Sequence, residues 1–351
     1  MKRKISLLLV FVLIATLLSA CGSSGTNQSN STPQENNTPT EKEFTLKLAG
    51  IKTPDDPATL AMERFAEIVN NSGVNITIKT FPNSVLGSVN DMLSGMPNGI
   101  TDLFYNTLSC YPWLEGAKKF NAVAAPFIWD SHDELQAFLD SDTAQAWFEE
   151  AAKTTGVRVL AAAGELPPRQ LTANRPIKSA EDFKGLKIRT AEAALVQQTM
   201  KKLGATPIVI PFADLYMALR QGTVEAQENN FITVKNNSFY EVQKYFMKTD
   251  YIRDVSTIFI SENIWNQMSP KQQEVLKNAA REAVEYEAKL IAESLDETMK
   301  FLNEKMTYVE IDVKSIQEAL GEDIYKQFDD AGELWPTGTI DEIMEFKESY
   351  Q

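Results

Sequence analysis

Two arginines stand where a charged fork could meet a ligand. Arg169 lies in Pro167-Pro168-Arg169-Gln170-Leu171-Thr172, and Arg189 closes the run Gly185-Leu186-Lys187-Ile188-Arg189. A guanidinium presents a rigid planar fork that matches a carboxylate in two parallel hydrogen bonds, so a pair of them can clamp an organic anion. On spacing alone, two solvated or salt-bridged arginines are the more ordinary reading. Gln227-Glu228-Asn229-Asn230 follows a strand-like run and offers amides that could complete the polar contacts. By itself it reads as a polar loop.

Catalytic chemistry has little to draw on. The sequence holds one histidine, His132, in Trp129-Asp130-Ser131-His132-Asp133-Glu134-Leu135. Asp130 or Ser131 reads as a helix cap there, which puts His132 in an exposed first turn. A Ser-His-Asp or Cys-His centre would have to use it, and no G-x-S-x-G accompanies it. One histidine and one spare cysteine make a poor zinc set, and neither a Walker loop nor a dinucleotide G-x-G-x-x-G occurs. Counting leaves carboxylate-only chemistry of the glycosidase kind open. The expectation is a protein that is not an enzyme and carries no metal or cofactor.

The N-terminus carries an address. Lys2, Arg3 and Lys4 precede an apolar run over residues 5–18, too short for a comfortable membrane span. The run closes on Leu18-Ser19-Ala20-Cys21-Gly22, a lipobox pattern in which Cys21 is lipidated. Residues 1–20 are therefore expected as a signal peptide. Residues 21–43, rich in Ser, Thr, Asn, Gln and Pro, read as a lipidated tether that cannot bury enough surface to fold. The protein is expected on the extracytoplasmic face of the cell membrane. With Cys21 committed, Cys110 in Leu108-Ser109-Cys110-Tyr111 has no disulfide partner and no basic activator, and reads as a small buried hydrophobe. The formal charge is −14, and the leader holds three of the basic residues, so the remainder is more acidic still. Such a balance argues against nucleic-acid binding, which needs a basic face.

The elements that must position the arginines alternate between two periods. Phe44, Leu46 and Leu48 alternate as a strand. Asp55 or Asp56 caps a helix that carries Pro57 in its first turn, and Val74, Ile76 and Ile78 form the next strand. The pattern recurs, with a strand at 101–105, a helix at 131–153 and a strand at 157–163. A second set follows: strands at 186–189, 205–210 and 223–226 with helices at 191–203 and 212–221. Residues 255–260 make a return strand. A long helix then runs from Pro270 to about Lys305, roughly 35 residues and about 50 Å, which exceeds one small lobe. The fold class is α/β, with two lobes and a ligand cleft between them at the strand mouths. Lobe 1 is expected at 44–165 plus 253–294, and lobe 2 at 166–252 plus 295–351.

Several segments in order carry a resemblance. Lys184-Gly185-Leu186-Lys187-Ile188-Arg189, Leu203-Gly204-Ala205-Thr206-Pro207, Pro211-Phe212-Ala213-Asp214-Leu215-Tyr216, Gln221-Gly222-Thr223-Val224-Glu225 and Gln227-Glu228-Asn229 closely resemble the DctP-type solute-binding proteins of TRAP (tripartite ATP-independent periplasmic) transporters. The resemblance runs from Phe44 to the C-terminus. It implies two α/β lobes closing on a carboxylate, delivery to small and large integral membrane subunits, and an ion gradient rather than ATP as the driving force. It places the carboxylate-binding arginine at Arg189, a second ligand-facing arginine at Arg169, the contacting amide at Asn229 and an aromatic wall at Phe212. The commoner form has proline after Gln-Glu-Asn, whereas Asn230 stands here. That double asparagine resembles the branch handling sugar acids such as hexuronates, where a further amide could bind a hydroxyl. Asp91 stands near a position where many members carry a ligand-facing glutamate, so its role is open. Trp113, Trp129 and Tyr216 are further aromatic candidates. The expected ligand is a sugar acid, ahead of a C4-dicarboxylate or another monocarboxylate, and the receptor is expected to be a monomer. A receptor feeding a sensor kinase is the alternative use of the same fold.

Overall fold

The computed structural model describes residues 41–350. The expected leader, the Cys21 lipidation site and nearly all of the tether lie outside the described residues. Eleven strands are described: β1 (Phe44–Gly50), β2 (Ile76–Phe81), β3 (Leu103–Thr107), β4 (Val157–Glu165), β5 (Gln170–Ala173), β6 (Lys187–Thr190), β7 (Thr206–Val209), β8 (Ala226–Asn229), β9 (Tyr245–Met247), β10 (Val255–Ser261) and β11 (Thr307–Tyr308). They form two sheets, ordered β2-β1-β3-β10-β4 and β11-β9-β5-β8-β6-β7. This is the α/β, two-lobed architecture expected from the alternation of periods.

Local chemistry accounts for the first βαβ unit. β1 buries Phe44, Leu46 and Leu48 on one face and pairs in parallel with β2. Between them Asp56 accepts from the Ala58 N–H and Pro57 sits where a helix needs no donor, starting the helix Pro57–Asn70. β10 returns antiparallel between β3 and β4. The chain thus passes between the sheets after β4 and again before β10.

The long helix spans Pro270–Lys305, 36 residues and about 54 Å. Ser269 and Gln272 close a reciprocal capping box at its start, with Pro270 in the first turn. Leu276, Ala279, Ala280, Ala283 and Val284 pack into the core of the first sheet, while Leu302 joins a cluster under the second. The small residues allow close approach. A Cβ on Gly164 would lie 2.3 Å from the Val284 carbonyl oxygen, and Gly164 also has φ +81°. This position of β4 therefore requires glycine.

The structure departs from the sequence-based expectation in three places. The helix expected at 131–153 is two helices, His132–Leu139 and Asp142–Thr155, because the Ser141 hydroxyl accepts from the Ala144 N–H and opens a new helix. The strand expected at 223–226 is β8 instead, so Gln227, Glu228 and Asn229 lie in a sheet and are buried, not in a loop. The C-terminal segment, expected with the second lobe, packs Trp335, Ile340 and Ile343 into the aromatic cluster of Phe138 and Trp147 beside the first sheet. Lys119 and Lys347 add ion pairs to Glu342 and Glu134 there, at 3.0 and 2.9 Å.

Candidate functional site

A cavity of about 370 Å³ lies at strand ends of both sheets. The first sheet contributes Lys52 just after β1 and Asn106 and Thr107 at the end of β3. The second contributes Arg189 near the end of β6, Phe212 beyond β7 and Asn229 at the end of β8. Arg169, just before β5, lines it as well. The cavity therefore gathers Arg189, Arg169, Asn229, Asn230 and Phe212 from the expected set.

The two arginines have different neighbours. Arg169 forks onto the Glu228 carboxylate through Nε and Nη2, the latter at 2.8 Å from Oε1. Nη2 also donates to the Glu228 carbonyl at 2.8 Å and to Asn229 Oδ1 at 3.2 Å. The Tyr251 hydroxyl donates to the same carboxylate at 2.7 Å. Burial alone would lower the Arg169 pKa, but the Glu228 charge and hydrogen bonds outweigh it and raise it.

Arg189 is 3% exposed and donates Nε to the Ile210 carbonyl at 2.9 Å. Among the described residues no carboxylate lies within ion-pair distance of it. Burial pushes its pKa down to about 10, with Glu228 opposing and Arg169 adding to the shift. It stays charged at neutral pH. A buried, charged fork without a counter-ion is an arrangement that an incoming carboxylate relieves.

The amides are partly committed. Asn229 accepts from Arg169 and donates to Gln227 Oε1 at 2.7 Å, which leaves one N–H of its amide. Asn230 accepts from the Thr233 backbone N–H at 2.8 Å, capping the helix Phe231–Asn236, so its oxygen is taken and its amide donors remain. Asp91 is not in the lining. Its Oδ2 accepts from the Ser88 N–H and hydroxyl at 2.9 and 2.8 Å, a capping box that holds its carboxyl below the usual range. The neighbours Ser88 and Asn90 line the cavity instead.

Lys52 and Thr233 line the cavity and were not among the sequence candidates. Lys52 donates to Thr233 Oγ1 at 3.0 Å and lies 4.7 Å above the Phe212 ring, with its pKa lowered by burial against the raising charges of Asp56 and Glu287. Its position just past an alternating strand was the available signal. Trp113, an undecided aromatic, lines the cavity with a buried Nε1 that has no partner among the described residues. Trp129 instead donates to the Val123 carbonyl at 2.7 Å inside the core, and Tyr216 bonds Glu241 on the surface. Cys110 is buried with its thiol on the Thr107 carbonyl, and burial pushes its pKa well up.

Residues 48–330 match the model of bacterial extracellular solute-binding protein family 7, DctP. A solute-binding protein of Roseobacter denitrificans is 30% identical over 282 residues, covering 79% of this chain and 85% of that protein. The 2,3-diketo-L-gulonate-binding periplasmic protein of Escherichia coli is 29% identical, covering 78% and 83%. A solved TRAP periplasmic solute-binding protein from Roseobacter denitrificans with bound L-galactonate is similar at a TM-score of 0.75 and 28% identity, covering 83% of this chain and 99% of that one.

Proposed function

This chain belongs to family 7 of the bacterial extracellular solute-binding proteins, the receptors of TRAP transporters, and from that premise we propose that it captures a sugar acid through Arg189. As a member it works outside the cytoplasm, binds a small molecule and serves integral membrane subunits. The observation that carries the ligand reading is the buried guanidinium of Arg189 with no carboxylate beside it. Its free donors fit one carboxylate, and a carboxylate there cancels a desolvated charge. The E. coli relative that binds 2,3-diketo-L-gulonate and the Roseobacter structure that holds L-galactonate support a hydroxylated acid. So do the remaining donors of Asn229, Asn230 and Trp113, which suit hydroxyl oxygens.

In this reading the acid enters an open cleft, Arg189 takes its carboxylate, and Arg169, held by Glu228, completes the polar wall. Phe212 supplies an apolar face. The crossings after β4 and before β10 serve as the hinge, with the long helix as brace. Closure then creates the surface that the membrane subunits read, so ligand acts as the switch. The receptor performs no turnover, works as a monomer, and is anchored through lipid on Cys21.

A thermal-shift panel of the purified protein tests the ligand class, using hexuronates, aldonates, C4-dicarboxylates, keto acids and neutral sugars. A ligand at a hundred times its Kd stabilises by about 2.7 kcal/mol. Uronates or aldonates should raise the melt while their neutral sugars do not. A shift with neutral sugars alone removes the arginine-held carboxylate from consideration.

A further inference from the structure

A smaller chamber of about 40 Å³ adjoins the ligand cavity. Lys52, Asn106, Thr107, Asn230 and Thr233 line both spaces, so the two share a polar wall. Tyr105, Asp56, Ser256 and, from the long helix, Glu287 add polar groups to the chamber, and Ala58, Leu166, Ile232 and Ile291 give it an apolar side.

Glu287 is 5% exposed. The hydroxyls of Tyr105 and Ser256 both donate to its Oε2, at 2.8 and 2.6 Å. Its Oε1 has no hydrogen-bond partner among the described residues. The Glu287 carboxylate thus has one oxygen holding two hydroxyls and one that accepts from no described protein group and can take a donor. Its two charged neighbours in the lining, Asp56 and Lys52, have contacts elsewhere. Asp56 accepts from the Ala58 N–H and from Asn236 Nδ2, both at 3.1 Å. Lys52 gives one N–H to Thr233, lies over the Phe212 ring and makes no ion pair with Glu287 among the described residues. The chamber therefore presents a free acceptor. A metal ion fits poorly: no group of three His, Cys, Asp or Glu residues that could hold one occurs among the described residues, and the Lys52 ammonium would repel it. The space suits one hydroxyl-bearing carbon.

Lys52 also orders the two sites. It lies within electrostatic reach of Arg189 and Arg169 on one side and of Asp56 and Glu287 on the other. A ligand with its carboxylate on Arg189 and a chain running past Lys52 ends at the chamber.

We propose that this chamber is a subsite for the terminal hydroxymethyl of the bound acid, whose hydroxyl donates to Glu287 Oε1. The receptor then selects for chain length and for a terminal hydroxyl, beyond the carboxylate that Arg189 reads. This rests on the sugar-acid reading and goes further, because a carboxylate receptor without this subsite would ignore the far end of its ligand.

The test is isothermal titration of the full chain at pH 8, where Glu287 is mostly ionised, with matched acids: L-galactonate against its 6-deoxy counterpart L-fuconate, and D-gluconate against 6-deoxy-D-gluconate. A hydrogen bond to a charged acceptor is worth about tenfold or more in affinity, so the 6-hydroxy acid should bind at least that much tighter. In Glu287→Gln the preference should shrink to about two- or threefold while affinity for the 6-deoxy acid holds, since a neutral amide replaces a charged acceptor. Equal binding of a matched pair by the wild type overturns the subsite and leaves the sugar-acid reading standing. Binding of four-carbon acids with no hexonate binding overturns it too. If no acid binds at all, the sugar-acid reading falls and the subsite with it.

Discussion

Arg169 and Arg189 reach one cavity from either side of β8, and the two regions treat their charge differently. On the β5 side, Arg169 is forked onto Glu228, which Tyr251 also holds. On the β6 side, Arg189 is buried, gives one N–H to a backbone carbonyl and meets no carboxylate among the described residues. Charge is settled by folding in the first region and left open in the second. An unpaired buried cation destabilises the empty fold, and a bound anion removes that strain. The balanced arginine has its charge answered within the fold; the unbalanced one is where we propose that the ligand's carboxylate docks.

The largest expected effect breaks the balanced side. Arg169→Met leaves Glu228 buried and unpaired, and chemical denaturation should show a loss of about 3–5 kcal/mol. Adding Glu228→Gln in the same chain should restore much of it, since the orphaned charge is then gone. A single variant as stable as wild type would dissolve the contrast between the two regions.

Next is the unbalanced side. Arg189→Met should weaken binding of the captured acid by about 2–5 kcal/mol, read by titration calorimetry. Its empty form should melt at or above the wild-type temperature, because a desolvated charge has been replaced by an apolar chain. Wild-type affinity in this variant would place the carboxylate elsewhere.

The smallest effect extends the contrast to an anion. Burial pushes the Glu287 carboxyl from 4.5 to about 7. Its pKa is higher folded than unfolded, so between these values the folded state holds more protons and stability falls as pH rises. Relative to Glu287→Gln, the loss should approach about 3 kcal/mol at pH 8 and vanish near pH 4.5. Paired denaturation curves across that range check it, and a constant difference would mean that Glu287 is as solvated as an ordinary surface carboxylate.

Much of this contrast could be approached from sequence and part could not. Arg189 was accessible because it closes a strand-like run and falls in a recognisable block of segments. Glu228 was not, since Gln-Glu-Asn-Asn looks like a loop; only its place between β5 and β6 shows a buried strand whose carboxylate answers Arg169. Asp91 shows the reverse error. Proximity to a ligand-facing position suggested a contact, but Ser88 three residues before it draws the carboxylate into a cap. Lys52 and Glu287 gave no local pattern, because each acquires its meaning from residues far along the chain.

By itself, the sequence determined the alternation of periods that makes an α/β fold, the helix starts at Pro57 and Pro270, and the long helix that couples two cores. These depend on side-chain spacing and neighbours a few residues away, which any reader of the chain can count. Only the tertiary structure decided which arginine is neutralised, where the C-terminal segment packs, and which carboxylates face a cavity. Pairing of charge is a matter of distance through space and of exclusion from water, and neither is written in the order of residues.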